Sequence, residues 1–239
     1  MLPRLLKGGH IIMKKLFIYS FVTLFLAFLF IIKPDVDISF SREFYSQNTQ
    51  KFIFYDNKII SIVEQSAYLF AFVFFCFHAK CLLSKQKQIL NLQKLFSGPD
   101  YQEHKHALLL LCFGPIFTVQ MFCKNLFGRS RPEKILEFGG VKVFTPAFIM
   151  TNECFFDCSF ISFHTAVATM LFLHARNFYS GKAKYINSRI TFSLIFIYAV
   201  IRIGQGKHFL SDIIFSICFI CIIDAFIIMK RRQTMLLFK

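Results

Sequence analysis

Three short runs of this chain carry the residue types of phosphate chemistry. The first is Lys124-Asn-Leu-Phe-Gly-Arg129-Ser-Arg131-Pro132, the second Cys158-Ser-Phe-Ile-Ser162-Phe163-His164-Thr165, the third Arg202-Ile-Gly-Gln-Gly-Lys-His208-Phe-Leu-Ser-Asp212. Arginine grips phosphate oxygens through paired planar hydrogen bonds, and lysine adds a compact positive charge. Lys124, Arg131 and Arg202 therefore suit a bound phosphate, with Arg129 as a secondary contact. Ser162 can donate from its hydroxyl, and a helix starting just after it would turn backbone N–H groups toward an anion. Two imidazoles beside such a pocket suggest covalent transfer, one as nucleophile and the other as acid and base. Asp212 follows His208 by four residues, so on a helix they share a face and the carboxylate can hold the second ring nitrogen. Carboxylates at metal-ligand spacing do not accompany these runs, and neither a metal nor another cofactor is expected.

The scaffold that must position these runs is apolar. Of 239 residues, 56% are apolar, 18% aromatic (35 Phe, no Trp) and 17% charged, with a mean hydropathy of +0.55. Soluble domains carry about 25% charged residues, so a water-soluble globule, a disordered chain and a coiled coil are excluded. The net charge of +15 does not make a nucleic-acid surface, because the cations are dispersed between apolar runs. Six runs read as membrane-spanning helices of one all-α polytopic domain over residues 1–239: Leu16–Ile32, Ile59–Ala79, Ala107–Cys123, Phe163–Phe178, Ile190–Ile203 and Ile213–Met229. With the amino terminus inside, the inner segments hold 17 of the 28 Lys and Arg, including the Lys80–Lys105 loop, and two of the 13 acids. That bias places both termini in the cytoplasm and all three runs on the outer face. The first helix leads into Lys33-Pro34-Asp35 with no small-residue cleavage site, so it is expected to remain. Met13-Lys14-Lys15 is a more natural start than Met1, which would make residues 1–12 an extension.

Lys124-x6-Arg131-Pro132, Ser162-x-His164 and Arg202-x5-His208-x3-Asp212 together resemble the signature of the type 2 phosphatidic acid phosphatase (PAP2) superfamily in order and internal spacing. That family comprises six-helix membrane lipid phosphatases, related in core to bacterial acid phosphatases and vanadium haloperoxidases. The resemblance implies that His208 is a phosphohistidine nucleophile and that His164 protonates the leaving oxygen. It further implies that Lys124, Arg131, Ser162 and Arg202 hold the phosphate. Two positions depart from the pattern. Pro-Ser-Gly-His becomes Ile161-Ser162-Phe163-His164, and Ile201 replaces the serine before Arg202. Glycine permits close backbone approach to a ligand, so Phe163 bears on pocket shape and turnover. The segments Asp35–Tyr45 and Glu137–Phe148 are similar to the branch containing bacterial lipid A phosphatases, which remove the 1- or 4'-phosphate at the periplasmic face of the inner membrane. The implied partner is a phosphorylated lipid, lipid A first, with undecaprenyl pyrophosphate or phosphatidylglycerol phosphate as competitors. A lipid-binding membrane protein without turnover is the reading from another class.

Among the remaining residues, Cys154 and Cys158 lie on the outer side and could form a disulfide in an oxidising periplasm, although their spacing does not fix the Cα separation. Cys218-x-x-Cys221 sits at lipid depth without a histidine and reads as core filling. Glu64 and Asp224 are intramembrane acids and so candidates for function. Asp224 lies twelve residues below Asp212, about 18 Å along a helix, and reads as an interhelical hydrogen-bond partner. His78, His104, His106 and His174 fall on the inner side, away from the three runs.

Overall fold

In hydrocarbon the backbone has to satisfy its own hydrogen bonds, so long apolar runs become helices. The computed structural model describes residues 2–88, 99–155 and 157–237. Helix α1 (Leu2–Ile32) ends where Lys33 and Pro34 interrupt the apolar run, and a short helix α2 (Asp35–Arg42) follows on the same side as the three runs. A two-stranded hairpin, β1 (Tyr45–Ser46) against β2 (Lys51–Phe52), returns the chain to the bundle. Asn57 accepts from the N–H groups of Ile59 and Ile60 and caps helix α3 (Lys58–Gln88). The centre of the expected Lys80–Lys105 loop, residues 89–98, lies outside the described residues.

The next rod combines α4 (Pro99–Leu111), a π-helical stretch Cys112–Cys123 containing Pro115, and the single turn α5 (Lys124–Phe127). Proline cannot donate to the ladder, and a wide turn accommodates the loss. A loop with two 3-10 turns, Pro132–Lys134 and Leu136–Phe138, then leads to α6 (Phe163–Phe178), α7 (Gly181–Gly204) and α8 (Leu210–Leu237).

Among the described residues, five helical segments, lying within Ile11–Ile32, Lys58–Ser84, Tyr101–Lys134, Gly181–Gly204 and Leu210–Thr234, are long and apolar enough to cross a membrane. The chain is thus a multi-pass membrane protein. The expected count of six spans is corrected to five of that length, because α6 has only 16 residues. Its place explains the shortness. Eleven of its residues are buried, wrapped by α3, the π-helical stretch, α7 and α8. Ala166, Ala168 and Thr169 keep its surface small, which lets neighbouring backbones approach. Phe17 and Leu24 on α1 and Phe72 on α3 are instead exposed, as lipid-facing residues are. Above α6 the rings of Phe127, Phe148, Phe160 and Phe215 pack edge to face and join the main core.

Candidate active site

All three runs come together at one end of this bundle. Lys124 opens α5, and Gly128, in the left-handed conformation at φ 53°, ends it. Only glycine fits there, because a Cβ would stand 2.1 Å from the Thr151 carbonyl oxygen. The chain leaves the helix at once, and Arg131 becomes extended ahead of Pro132. On the opposite wall Arg202 occupies the last turn of α7. Gly206 (φ 69°) reverses the chain, and the N–H groups of Lys207 and His208 donate back to the Arg202 carbonyl at 3.0 and 3.3 Å. His208 is thereby fixed one turn beyond Arg202, ahead of α8. His164 stands in the first turn of α6, two residues after Ser162 at the N-cap.

His208 is 1% exposed. Its Nδ1 lies 2.7 Å from the Ser159 carbonyl, which can only accept, so Nδ1 carries the proton and Nε2 keeps its lone pair. Burial, together with the positive charges of Arg202, Arg131 and Lys124, pushes the His208 pKa well below its ordinary value. The ring is held neutral, and a neutral imidazole is a nucleophile.

Asp212 does not hold His208 as the four-residue spacing suggested. Its Oδ2 is 3.6 Å from Nδ1, beyond hydrogen-bonding distance, and the Ser159 carbonyl takes that place. The carboxylate is engaged elsewhere: it accepts from Arg129 Nη1 at 2.7 Å, from Phe209 N–H at 2.8 Å and from the Ser159 hydroxyl. Asp212 thus supports the Ser159 segment that grips the histidine.

Arg129, expected as a secondary phosphate contact, also points elsewhere. Its Nη2 donates to Asp37 of α2 at 2.8 Å, Nη1 reaches Ser211 and Asp212, and Nε donates to the Thr145 carbonyl at 2.8 Å. The guanidinium lies over the Phe209 ring, 4.2 Å from its centroid. Two buried carboxylates require a buried cation between them, and Arg129 meets that requirement.

The three remaining cations already have acidic neighbours. Arg131 Nη2 pairs with Asp157, whose carboxylate is also 3.9 Å from Lys124 Nζ. Asp157 belongs to a loop closed by a disulfide between Cys154 and Cys158, with Cα atoms 5.6 Å apart. Arg202 Nη1 pairs with Glu64 of α3, and Gln205 donates to the second Glu64 oxygen at 2.9 Å. Ser162 Oγ accepts from Thr165 at 3.2 Å. The Phe163 ring stacks on Tyr68, with centroids 5.0 Å apart. Among the described residues, no group of three or more His, Cys, Asp or Glu is arranged to hold a metal ion.

Ser159, Asp157 and Asp37 were not singled out in the sequence. Asp157 stands just outside the second run and Ser159 within it, and neither carries a local signal of its role. Asp37 lies in the segment after the first helix, and only its burial marks it. Glu64 was noted as an intramembrane acid, but its partner was not predictable.

The model of the PAP2 superfamily matches residues 103–235, which contain all three runs. A lipid A 4'-phosphatase of Francisella tularensis subsp. novicida (strain U112) is 27% identical over 218 residues, covering 86% of this chain and 90% of that protein. A lipid A 4'-phosphatase of Rhizobium leguminosarum is 30% identical over 119 residues, about half of either chain (50% and 51%). One of Rhizobium etli is 29% identical over 118 residues, covering 49% of this chain and 46% of that protein. No solved structure matches the chain.

Proposed function

Because the chain belongs to the PAP2 superfamily, we propose that it removes a phosphate monoester from lipid A, the 4'-phosphate in first place, through a phosphohistidine intermediate. The relatives named lipid A 4'-phosphatase support the substrate, and one of them is matched along nearly its whole length. The observation that carries the chemistry is the gathering of the three runs, joined by backbone hydrogen bonds, around a buried histidine whose Nδ1 is held by the Ser159 carbonyl.

The substrate phosphate docks against Lys124, Arg131 and Arg202, taking over from Asp157 and Glu64, with Ser162 as a further donor. His208 Nε2 attacks phosphorus in line. The P–O bond to the sugar breaks, its electron pair stays on the leaving oxygen, and His164 gives that oxygen a proton. Water then attacks phosphorus, His164 takes a proton from it, and the P–N bond breaks to restore His208. The fixed cations face charge on the transferring group throughout, where preorganised electrostatics contribute most. Asp212, through Ser159, holds the histidine that becomes charged. The excess of Lys and Arg on the inner segments supports cytoplasmic termini and a site facing the periplasm of the inner membrane.

Mass spectrometry of lipid A from a bacterial host expressing the chain tests this reading. Loss of one phosphate with the wild type, and none with His208→Ala, is expected. Unchanged lipid A with altered prenyl pyrophosphate pools would reassign the substrate to undecaprenyl pyrophosphate. Binding of lipid A with no phosphate released would make the chain a lipid-binding protein.

A further inference from the structure

Glu64 lies outside the segment matched by the family model and outside the three runs, yet its carboxylate sits between two of their residues. Oε1 pairs with Arg202 Nη1 and is 3.9 Å from His164 Nε2. The residue is only partly buried, its side chain 24% exposed, whereas His164 and Arg202 are nearly closed off, at 2% and 3%. Neither ring nitrogen of the buried His164 has a hydrogen-bond partner among the described residues. A buried unpartnered imidazole is a costly arrangement, and such groups recur at functional sites. Tyr68, one turn further along α3, meets the His164 ring edge-on at 5.2 Å, and Tyr198 of α7 lies 5.9 Å away on another side. Arg202, Lys124 and Arg131 all set positive charge against His164. His164 must carry a proton to protonate a leaving oxygen, and its surroundings oppose that charge. Glu64 is the one acid in contact with it among the described residues.

We propose that Glu64 exchanges partners during the reaction: it neutralises Arg202 in the empty site and, once phosphate takes Arg202, pairs with His164 and holds it as the imidazolium that acts as general acid. The inference rests on the phosphatase reading. Phosphate brings its own negative charge to the guanidinium and displaces a carboxylate that a single charge held there. The freed carboxylate needs to close only from 3.9 Å to a hydrogen bond of about 2.8 Å. An adjacent opposite charge favours the protonated imidazole. The proton passes from His164 to the leaving oxygen as the P–O bond breaks and returns to His164 from the attacking water.

Glu64→Gln in the full-length, detergent-solubilised protein separates this role from a structural one. Arg202 is left without its competitor, so inorganic phosphate, titrated calorimetrically, should bind roughly tenfold more tightly, the scale of one charged hydrogen bond. General-acid assistance is worth about 10²–10⁴-fold, so release from lipid A should fall on that order. A nitrophenyl phosphate, whose leaving group needs no proton, should lose less than threefold. Glu64→Asp, which keeps the charge, should recover part of the lipid A rate. Unchanged phosphate affinity with equal losses on both substrates overturns the proposal, as does an unchanged lipid A rate. If the wild type neither binds phosphate nor releases it, the phosphatase reading itself has failed, whatever the variant does.

Discussion

Arg129→Met is the substitution that best separates a structural network from a phosphate contact. The wild-type guanidinium bridges Asp37 and Asp212 and is 1% exposed, as is Asp37, with Asp212 fully buried. Removing one partner of a buried ion pair costs about 3–5 kcal/mol, because the remaining charge stays buried. For a chain of this length each kcal/mol moves the melting temperature by about 2–4 °C, so a drop on the order of 10 °C is expected. The loss should depend on pH with a definite sign. Burial raises the Asp37 carboxyl above its ordinary range and Arg129 pulls it back, so without Arg129 it rises further. A carboxyl whose folded pKa exceeds its unfolded value favours folding when protonated, and that contribution disappears as pH climbs from the unfolded value through the folded one. The deficit should therefore be greatest at neutral and alkaline pH and shrink as pH falls toward 4. Asp37→Asn added to Arg129→Met should restore part of the stability, with a coupling of about 1–3 kcal/mol. Thermal denaturation in one detergent across pH 5–8 provides the measurement. A variant that melts with the wild type and shows only a raised KM would place Arg129 on the phosphate and refute the network.

His208 held neutral by burial and three cations should titrate well below its ordinary value near 6.5; nitrogen-15 histidine spectra, with His208→Gln to assign the signal, check this, and a midpoint at 6.5 contradicts it. Gly206→Ala should lower both stability and turnover, because φ is 69° and the new Cβ would stand 2.4 Å from the Phe52 ring; the strain is worth about 1–3 kcal/mol, and wild-type melting would contradict it. Phe163→Ala should cost about 3–5 kcal/mol, since the ring is buried and stacked on Tyr68; a melting temperature equal to wild type would show that the ring does not pack there.

The three runs were legible because each keeps its residues within one helix end or tight turn, where spacing fixes relative position. What links the runs to the rest of the chain was not. Whether Asp212 holds His208 directly or through Ser159 depends on how the 128–162 loop folds, and residues of that loop meet partners up to 92 positions away, as Arg129 meets Asp37. Helix boundaries slipped where polarity and helicity part company. The polar Gly181–Arg189 segment is helical and extends the expected Ile190–Ile203 span, while α3 continues past Ala79 to Gln88 because nothing breaks it. The length of α6 was right. Only its burial shows why the helix can be shorter than a lipid-facing span: protein rather than lipid surrounds it. The hairpin at Tyr45–Phe52 and helix α2 are too short to announce themselves locally and exist through packing on Phe138 and Ser211.

Two acids from the first 64 residues, Asp37 and Glu64, satisfy arginines of the second half. A hybrid that grafted residues 103 onward onto the opening helices of another protein would take one carboxylate from each guanidinium group, leaving Arg129 with Asp212 and Arg202 with Gln205. The two halves are therefore a matched set, to be transplanted together or with these carboxylates re-supplied by the host.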